Sequence, residues 1–342
     1  MTYPYRAYGL GLESQTAIEG LSPRSPNHEA SDSDSIEIVI GRCPAWAEAA
    51  QKLGTERIYA SPTSSTHAEA AFQLSQLGGG QFFRFSYADG TQFVVDAQTQ
   101  RIWGASPPPL TQEDLVSYLV GPVLGFVLRR RGVLALHASS FSKGGFAFAL
   151  CGGSGVGKST AAAALALRNV SVQCEDITAL RERDAVFWAA PGYPRINLWP
   201  ESAADLFGAP TALPKITPNW EKRFLSLDEE SGKFETRERQ LAAIYILEAR
   251  TTRDDAPRIE TITPREAALL LVQNTYMNYL LGKNQRATEL DAIVRLVSRV
   301  TMRRLTPHSD PAKIAAMCEL LEMDAANVAE ALSGTFSSQR HE

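Results

Sequence analysis

Apolar and polar positions alternate with a period of two over Ile36–Ile40, which predicts a half-buried β-strand. The apolar runs Phe82–Tyr87 and Thr91–Val95 are joined by Ala88-Asp89-Gly90. Asp-Gly between two β-rich runs predicts a hairpin. Arg101-Ile102-Trp103 predicts a further strand, ended by Pro107-Pro108-Pro109, and Gly78-Gly79-Gly80 punctuates the chain before the hairpin. Residues 21–35 are polar and rich in Ser, Pro and Asp, which predicts a surface loop. Residues 1–110 therefore read as a β-rich N-terminal domain.

The period then changes. Thr111 is placed to cap a helix, with Asp114 at its third helical position. The wide apolar face continues to about Arg131 and stops at Gly132, so 111–132 reads as a connecting helix. A second domain is expected over 133–330. It opens with the apolar strand Val133–His137, turns at Lys143-Gly144-Gly145, and continues with Phe146–Cys151. That run is apolar on both faces, as in the middle of a covered sheet. An Ala/Leu helix from Lys158 to about Arg168 and a strand at Val170–Gln173 follow, which together predict a βαβ unit. Residues 177–190 alternate as a hairpin turned at Arg183-Asp184, and Pro200 to Gly208 reads as a short helix. Residues 209–220 are Pro-rich and irregular, and strands are expected at Phe224–Leu227, Ile244–Leu247 and Arg258–Ile262. Thr263-Pro264-Arg265-Glu266 is a capping box with proline in its favoured first turn. Helices are expected over 264–282, 287–300 and 310–322, and a polar tail over 331–342. There is no internal repeat.

Composition narrows the class. The 342 residues are 44% hydrophobic and 21% charged, a globular balance, and the net charge of −4 disfavours a duplex-DNA or anionic-membrane partner. The longest apolar stretch, about Leu115–Leu128, contains Gly121 and Pro122 and is too short to span a bilayer comfortably. Cys43, Cys151, Cys174 and Cys318 lie far apart, which fits neither a disulfide framework nor a zinc site and suits a reducing cytoplasm.

The sharpest chemical signal is Gly152-Gly153-Ser154-Gly155-Val156-Gly157-Lys158-Ser159, which fits G-x-x-x-x-G-K-[ST] in full and is followed by Thr160. Glycines let backbone N–H groups turn inward around phosphate oxygens, and the helix that follows presents its positive end to the anion. Lys158 is the residue expected to reach the β- and γ-phosphates, and the Ser159 hydroxyl to ligate Mg²⁺. A chance match in a chain this long has a probability of about one in a hundred. The motif therefore predicts a nucleoside triphosphate site, with ATP and Mg²⁺ as its ligands. His137 near the end of one strand and Glu175-Asp176 at the end of another are expected beside that loop, because ligands of α/β sheets sit outside the carboxyl ends of strands. A carboxylate there can accept a hydroxyl proton, a second can support the metal, and an imidazole can orient the base.

Leu136-His137-Ala138-Ser139-Ser140, the loop Gly152–Thr160 and Cys174-Glu175-Asp176 resemble the catalytic domain of the HPr serine kinase/phosphorylase family. The resemblance implies a P-loop kinase core of that type, α/β with helices flanking the sheet. It implies that Glu175 is the base taking a seryl proton, that His137 assists it, and that Asp176 supports the metal. The family pair is usually Asp-Asp, so Glu175 is one methylene longer than the pattern. Tyr5-Arg6-Ala7-Tyr8-Gly9-Leu10 and Pro191–Trp199 are similar instead to the HPr-kinase-like proteins of lasso-peptide biosynthesis. That likeness implies a serine kinase whose partner is a precursor peptide ending in serine. Two alternatives remain at this stage: a kinase/phosphorylase acting on a carrier protein, and a nucleotide-dependent binding or switch protein with no phosphoacceptor. A homo-oligomer is left open.

Weaker candidates complete the reading. Arg195 follows a Gly-Tyr-Pro turn and is placed to reach a γ-phosphate or a peptide carboxylate; Lys222-Arg223 is a second possible clamp. Arg129–Arg131 complements a helix dipole. Trp188, Trp199 and Trp220 read as packing residues, and Cys151 and Cys174 as small buried ones.

Overall fold

A computed structural model describes residues 2–23, 35–62, 70–227 and 231–338. Most of the polar tract expected as a surface loop, and the last four residues of the expected tail, lie outside the described residues. The chain divides into two compact units, Met1–Arg131 with Ile216–Trp220, and Gly132–Lys215 with Glu221–Glu342.

The first unit holds a nine-stranded sheet, the short helix α1 (Ala45–Gln51) and a helical stretch over 112–130. Its strands are β1 (Tyr3–Ala7), β2 (Leu10–Ser14), β3 (Ser22–Pro23), β4 (Ile36–Ile40), β5 (Thr55–Ala60), β6 (Phe72–Leu77), β7 (Phe82–Tyr87), β8 (Gln92–Asp96) and β9 (Arg101–Ala105), in the order β3-β1-β2-β4-β9-β8-β7-β6-β5. The β7–β8 hairpin turns at Asp89-Gly90, where Asp89 Oδ1 accepts from Thr91 N at 2.9 Å and Gly90 adopts φ +89°. The expected connecting helix is not one helix. It runs as α2 (Gln112–Tyr118), a π-helical turn over Leu119–Val123 and α3 (Leu124–Arg130). Pro122 in that turn has no N–H to give to a regular ladder, which accounts for the interruption. At its start Thr111 N donates to Asp114 Oδ2 at 2.8 Å, closing the predicted box.

The second unit places the phosphate loop. Its strands are β10 (Leu134–Lys143), β11 (Phe146–Cys151), β12 (Ser171–Cys174), β13 (Ile177–Arg183), β14 (Val186–Ala190), β15 (Arg195–Leu198), β16 (Arg223–Ser226), β17 (Arg239–Leu247), β18 (Arg258–Thr261) and β19 (Thr301–Thr306). Its helices are α4 (Lys158–Leu167), α5 (Pro200–Phe207), α6 (Pro264–Gln273), α7 (Lys283–Arg299) and α8 (Ile314–Ser338). Pairings β11–β10–β13–β14–β17–β11 close a ring, and β19 extends it parallel to β17. Along β11 the side chains alternate between two covered faces. Phe148 and Leu150 pack with α4 and α8, through Ala161, Leu165, Leu321 and Ala325. Ala147, Ala149 and Cys151 pack with α6 and α7, through Leu271, Ile293 and Leu296.

The βαβ unit is split rather than adjacent. β11 and β12 both pair antiparallel with β10, so they run parallel to each other with β10 between them. β12 and β13 follow the same edge of β10, and the two residues that separate them are Glu175 and Asp176. Two helix expectations change. The helix from Pro264 ends at Gln273, because the chain then turns to pair with β10: His137 N donates to Asn274 O and Tyr276 N to Ala135 O, each at 2.8 Å. The last helix continues to Ser338 through most of the expected polar tail, because Val328 and Ala329 still meet the sheet.

Candidate functional site

The buried strand β11 delivers the chain at Cys151 into the glycine loop, and Gly157, at φ +107°, starts α4. Gly152 is required by space: a Cβ there would lie 2.8 Å from the backbone oxygen of Leu247 on β17. Gly152→Ala is therefore expected to push the loop off β17, costing about 1–3 kcal/mol of stability and weakening nucleotide binding. Thermal melts and calorimetric titration with ATP check both. Gly153, Ser154 and Gly155 form the exposed rim, while Val156 and Ser159 are half-buried and Thr160 is buried. Thr160 Oγ1 lies 2.9 Å from Ser202 Oγ, which ties α4 to α5.

Lys158 is buried, and its Nζ donates to Gly152 O at 2.8 Å and Gly153 O at 2.9 Å. Burial pulls this ammonium below its ordinary value, opposed by the nearby Asp176, Cys151 and Glu175. Next along the helix, Ser159 Oγ donates to Glu175 Oε1 at 2.7 Å. The other carboxylate oxygen of Glu175 accepts from Asn197 Nδ2 at 3.3 Å, and that amide also donates to Tyr193 Oη at 3.0 Å. Glu175 is only 6% exposed. Burial, reinforced by the charge of Asp176, pushes its carboxyl up to about 7. Burial likewise raises the Tyr193 phenol far above its usual range, so it serves as a neutral partner.

Asp176 is built differently. Ile177 N donates to Glu175 O at 2.8 Å across Asp176, which sits at φ +67°. That is a γ-turn with a positive central φ, a strained conformation for a residue with a Cβ. It interrupts the β12–β13 edge and leaves the Asp176 side chain 38% exposed, with Oδ1 3.2 Å from His137 Nε2. Burial raises the Asp176 carboxyl, but the hydrogen bond and charge of His137, with the cations of Lys222 and Lys158, bring it below its ordinary value.

Among the expected residues, Ser159 is bonded to Glu175, Lys158 is bonded to carbonyls of its own loop, and His137 pairs with Asp176 rather than with Glu175. Arg195 stacks its guanidinium over Phe224, 4.4 Å from the ring centre. Lys222 lies 4.9 Å from the ring centre of Trp199, which is 57% exposed and not the packing residue expected. Cys151 and Cys174 are fully buried, and burial lifts their thiols to about 12 and about 11, which makes both poor nucleophiles. Sequence reasoning missed Asn197 and Tyr193 as parts of the cluster. Both lie in Pro191–Trp199, a stretch that stood out only through its resemblance.

Ser159 Oγ and Glu175 set two hard oxygen donors side by side at the start of the phosphate-loop helix, a donor set that fits Mg²⁺. Fold and site together define a mixed α/β protein in which a glycine-rich loop joins β11 to α4, with a β-rich unit earlier in the chain. No protein-family model matches the chain, and no curated protein matches it. Among solved structures it is similar to the Hpr(Ser) kinase/phosphatase from Coxiella burnetii, at 12% identity and a TM-score of 0.35, over 61% of this chain and 98% of that chain. Among the described residues, no helix is long and apolar enough to cross a membrane.

Proposed function

We propose that this chain is an ATP-dependent serine kinase that moves the γ-phosphate of Mg-ATP to a peptide hydroxyl, with the C-terminal serine of a lasso precursor as the acceptor. The observation that carries this reading is the convergence on the phosphate loop of Ser159 with Glu175, and of Asp176 with His137 beside them. The peptide acceptor rests on the resemblance carried by Tyr5–Leu10 and Pro191–Trp199.

The resemblance gives the base role to Glu175, but the hydrogen bonds favour dividing the two acids the other way. Both oxygens of Glu175 are engaged, one by Ser159 and one by Asn197, and its side chain is enclosed. It suits the metal side of the site. Asp176 is exposed enough to meet an incoming hydroxyl and is held from behind by the His137 N–H. In this division the seryl oxygen attacks the γ-phosphorus, the bond to the β-phosphate oxygen breaks, ADP leaves, and the seryl proton passes to Asp176. Lys158 stabilises the terminal phosphates, and bound Mg²⁺ neutralises charge on their oxygens. Catalysis is positioning and charge stabilisation.

The test is mass spectrometry of a serine-ended precursor peptide after incubation with the chain and Mg-ATP. One added phosphate, on the terminal serine, is expected. An unchanged peptide with a phosphorylated carrier protein would instead favour a carrier-protein kinase. ATP loss with no acceptor modified would favour a switch protein.

A further inference from the structure

The two-stranded ribbon of β15 and β16 carries two unlike faces. Its register pairs Ile196 with Leu225, Asn197 with Phe224 and Leu198 with Arg223. One step further along stand Trp199 and Lys222, and the ammonium lies 4.9 Å from the ring centre, which continues the same ladder. Alternate residues of a strand share a face. Ile196 and Leu198 are buried against Ala162, Ala163 and Ala166 of α4, and Leu225 packs on the same core. Arg195, Asn197 and Trp199, with Phe224 and Lys222 opposite them, therefore line the other face.

That face fronts the acid pair, because Asn197 Nδ2 reaches Glu175 Oε2 from the middle of it at 3.3 Å. At one end Arg195 stacks over Phe224. The other end is open. Trp199 is more than half exposed, and Lys222 rests half-buried on its ring. Among the described residues, no hydrogen bond or ion pair joins the Lys222 ammonium to an acceptor. Burial raises the carboxyls of Glu175 and Asp176, and the Lys222 charge acts on both in the opposite direction, so its field reaches the place where Asp176 would meet a hydroxyl.

The phosphate loop carries a cation of its own in Lys158. A cation resting on an exposed indole suits a different partner. The ring offers an apolar plate to a peptide. It also fixes the ammonium without neutralising it, which keeps the charge for an anion that arrives with the acceptor. When the hydroxyl belongs to the last residue of a peptide, the nearest such anion is that residue's own carboxylate. We infer that Lys222, held on Trp199, binds the terminal carboxylate of the acceptor peptide, so that the β15–β16 ribbon selects a serine at a chain end over one within a chain. This rests on the peptide-kinase reading given above and adds to it the residue that reads the chain end.

The test compares two acceptor peptides of one sequence, ending in serine as the free acid or as the primary amide, with the full chain and Mg-ATP. The native chain is expected to favour the acid at least about tenfold in kcat/KM, the effect of one hydrogen bond to a charged group. Lys222→Met should bring the acid down to the value of the amide, and Lys222→Arg should keep the preference. If Lys222→Met does not fold in a thermal melt, Lys222→Gln takes its place. Equal use of acid and amide by the native chain would overturn the inference whatever the variants do. So would a Lys222→Met chain that keeps the preference while its KM for ATP rises, since the lysine would then be a phosphate contact. A native chain that phosphorylates neither peptide would overturn the peptide-kinase reading, and this inference with it.

Discussion

Lys158→Ala is expected to lower phosphoryl transfer by about three orders of magnitude or more, with little loss of fold. The ammonium is buried against the carbonyls of its own loop, and that burial pulls its protonated form down. A desolvated cation of this kind gains most when an anion arrives, and the gain grows as charge develops on the transferring phosphoryl group. Alanine removes that gain. It also removes a charge that the folded chain pays to bury, and the exposed Gly153 keeps access to water. The melting temperature is therefore expected to stay within a few degrees of native while turnover collapses. A transfer assay on the cognate peptide, beside a thermal melt, reads both. Transfer at the native rate would remove the loop from the chemistry altogether.

How much of this was legible in the sequence depends on the range of the interactions involved. Local rules carried far. Asp89-Gly90 turns as its residues require, and the Arg183-Asp184 hairpin turns with Asp184 and Ala185 both at positive φ. The Thr263 side chain caps α6 by accepting from Glu266 N. The apolar run before the glycine loop is a strand buried on both faces, and the Ala/Leu run after it is the helix α4. Non-local pairing was hidden. β19 occupies a place in the sheet beside β17, yet Thr301–Thr306 carries Arg303 and Arg304 in its middle, which breaks the apolar pattern. Those charges are met from outside the strand: Arg303 by Asp324, Arg304 by Glu248 and Glu266. The β1–β2 hairpin was hidden for a different reason, since Tyr8, at φ 57°, stands where Asn or Gly gives the usual signal. At the site, spacing could bring His137 near the acids but could not say which acid it meets. That choice is made by the γ-turn at Asp176, a backbone feature with no sequence signature of its own.

The same turn sets the sharpest contrast among variants. Asp176→Asn is expected to reduce turnover by about 10²–10⁴-fold at every magnesium concentration, the usual worth of a positioned base, with nucleotide affinity nearly native. Glu175→Gln is expected instead to raise the magnesium concentration needed for half-maximal rate, because the carboxylate bonded to Ser159 loses its charge. The reverse pattern would return the base role to Glu175. Stability against pH gives an independent check. Burial, with the Asp176 charge, holds the Glu175 carboxyl near 7 in the folded chain, above its ordinary 4.5. A carboxyl raised on folding stabilises fully below its unfolded value, and that stabilisation is lost as pH rises through the folded value. Without nucleotide or metal, the native chain should lose melting temperature between about pH 5 and pH 8 from this group, and Glu175→Gln should flatten that part of the profile. Asp176→Asn removes the neighbouring negative charge, so Glu175 should ionise more readily and the loss should move to lower pH. Identical profiles for the native chain and Glu175→Gln would show that the glutamate is not held protonated by its burial.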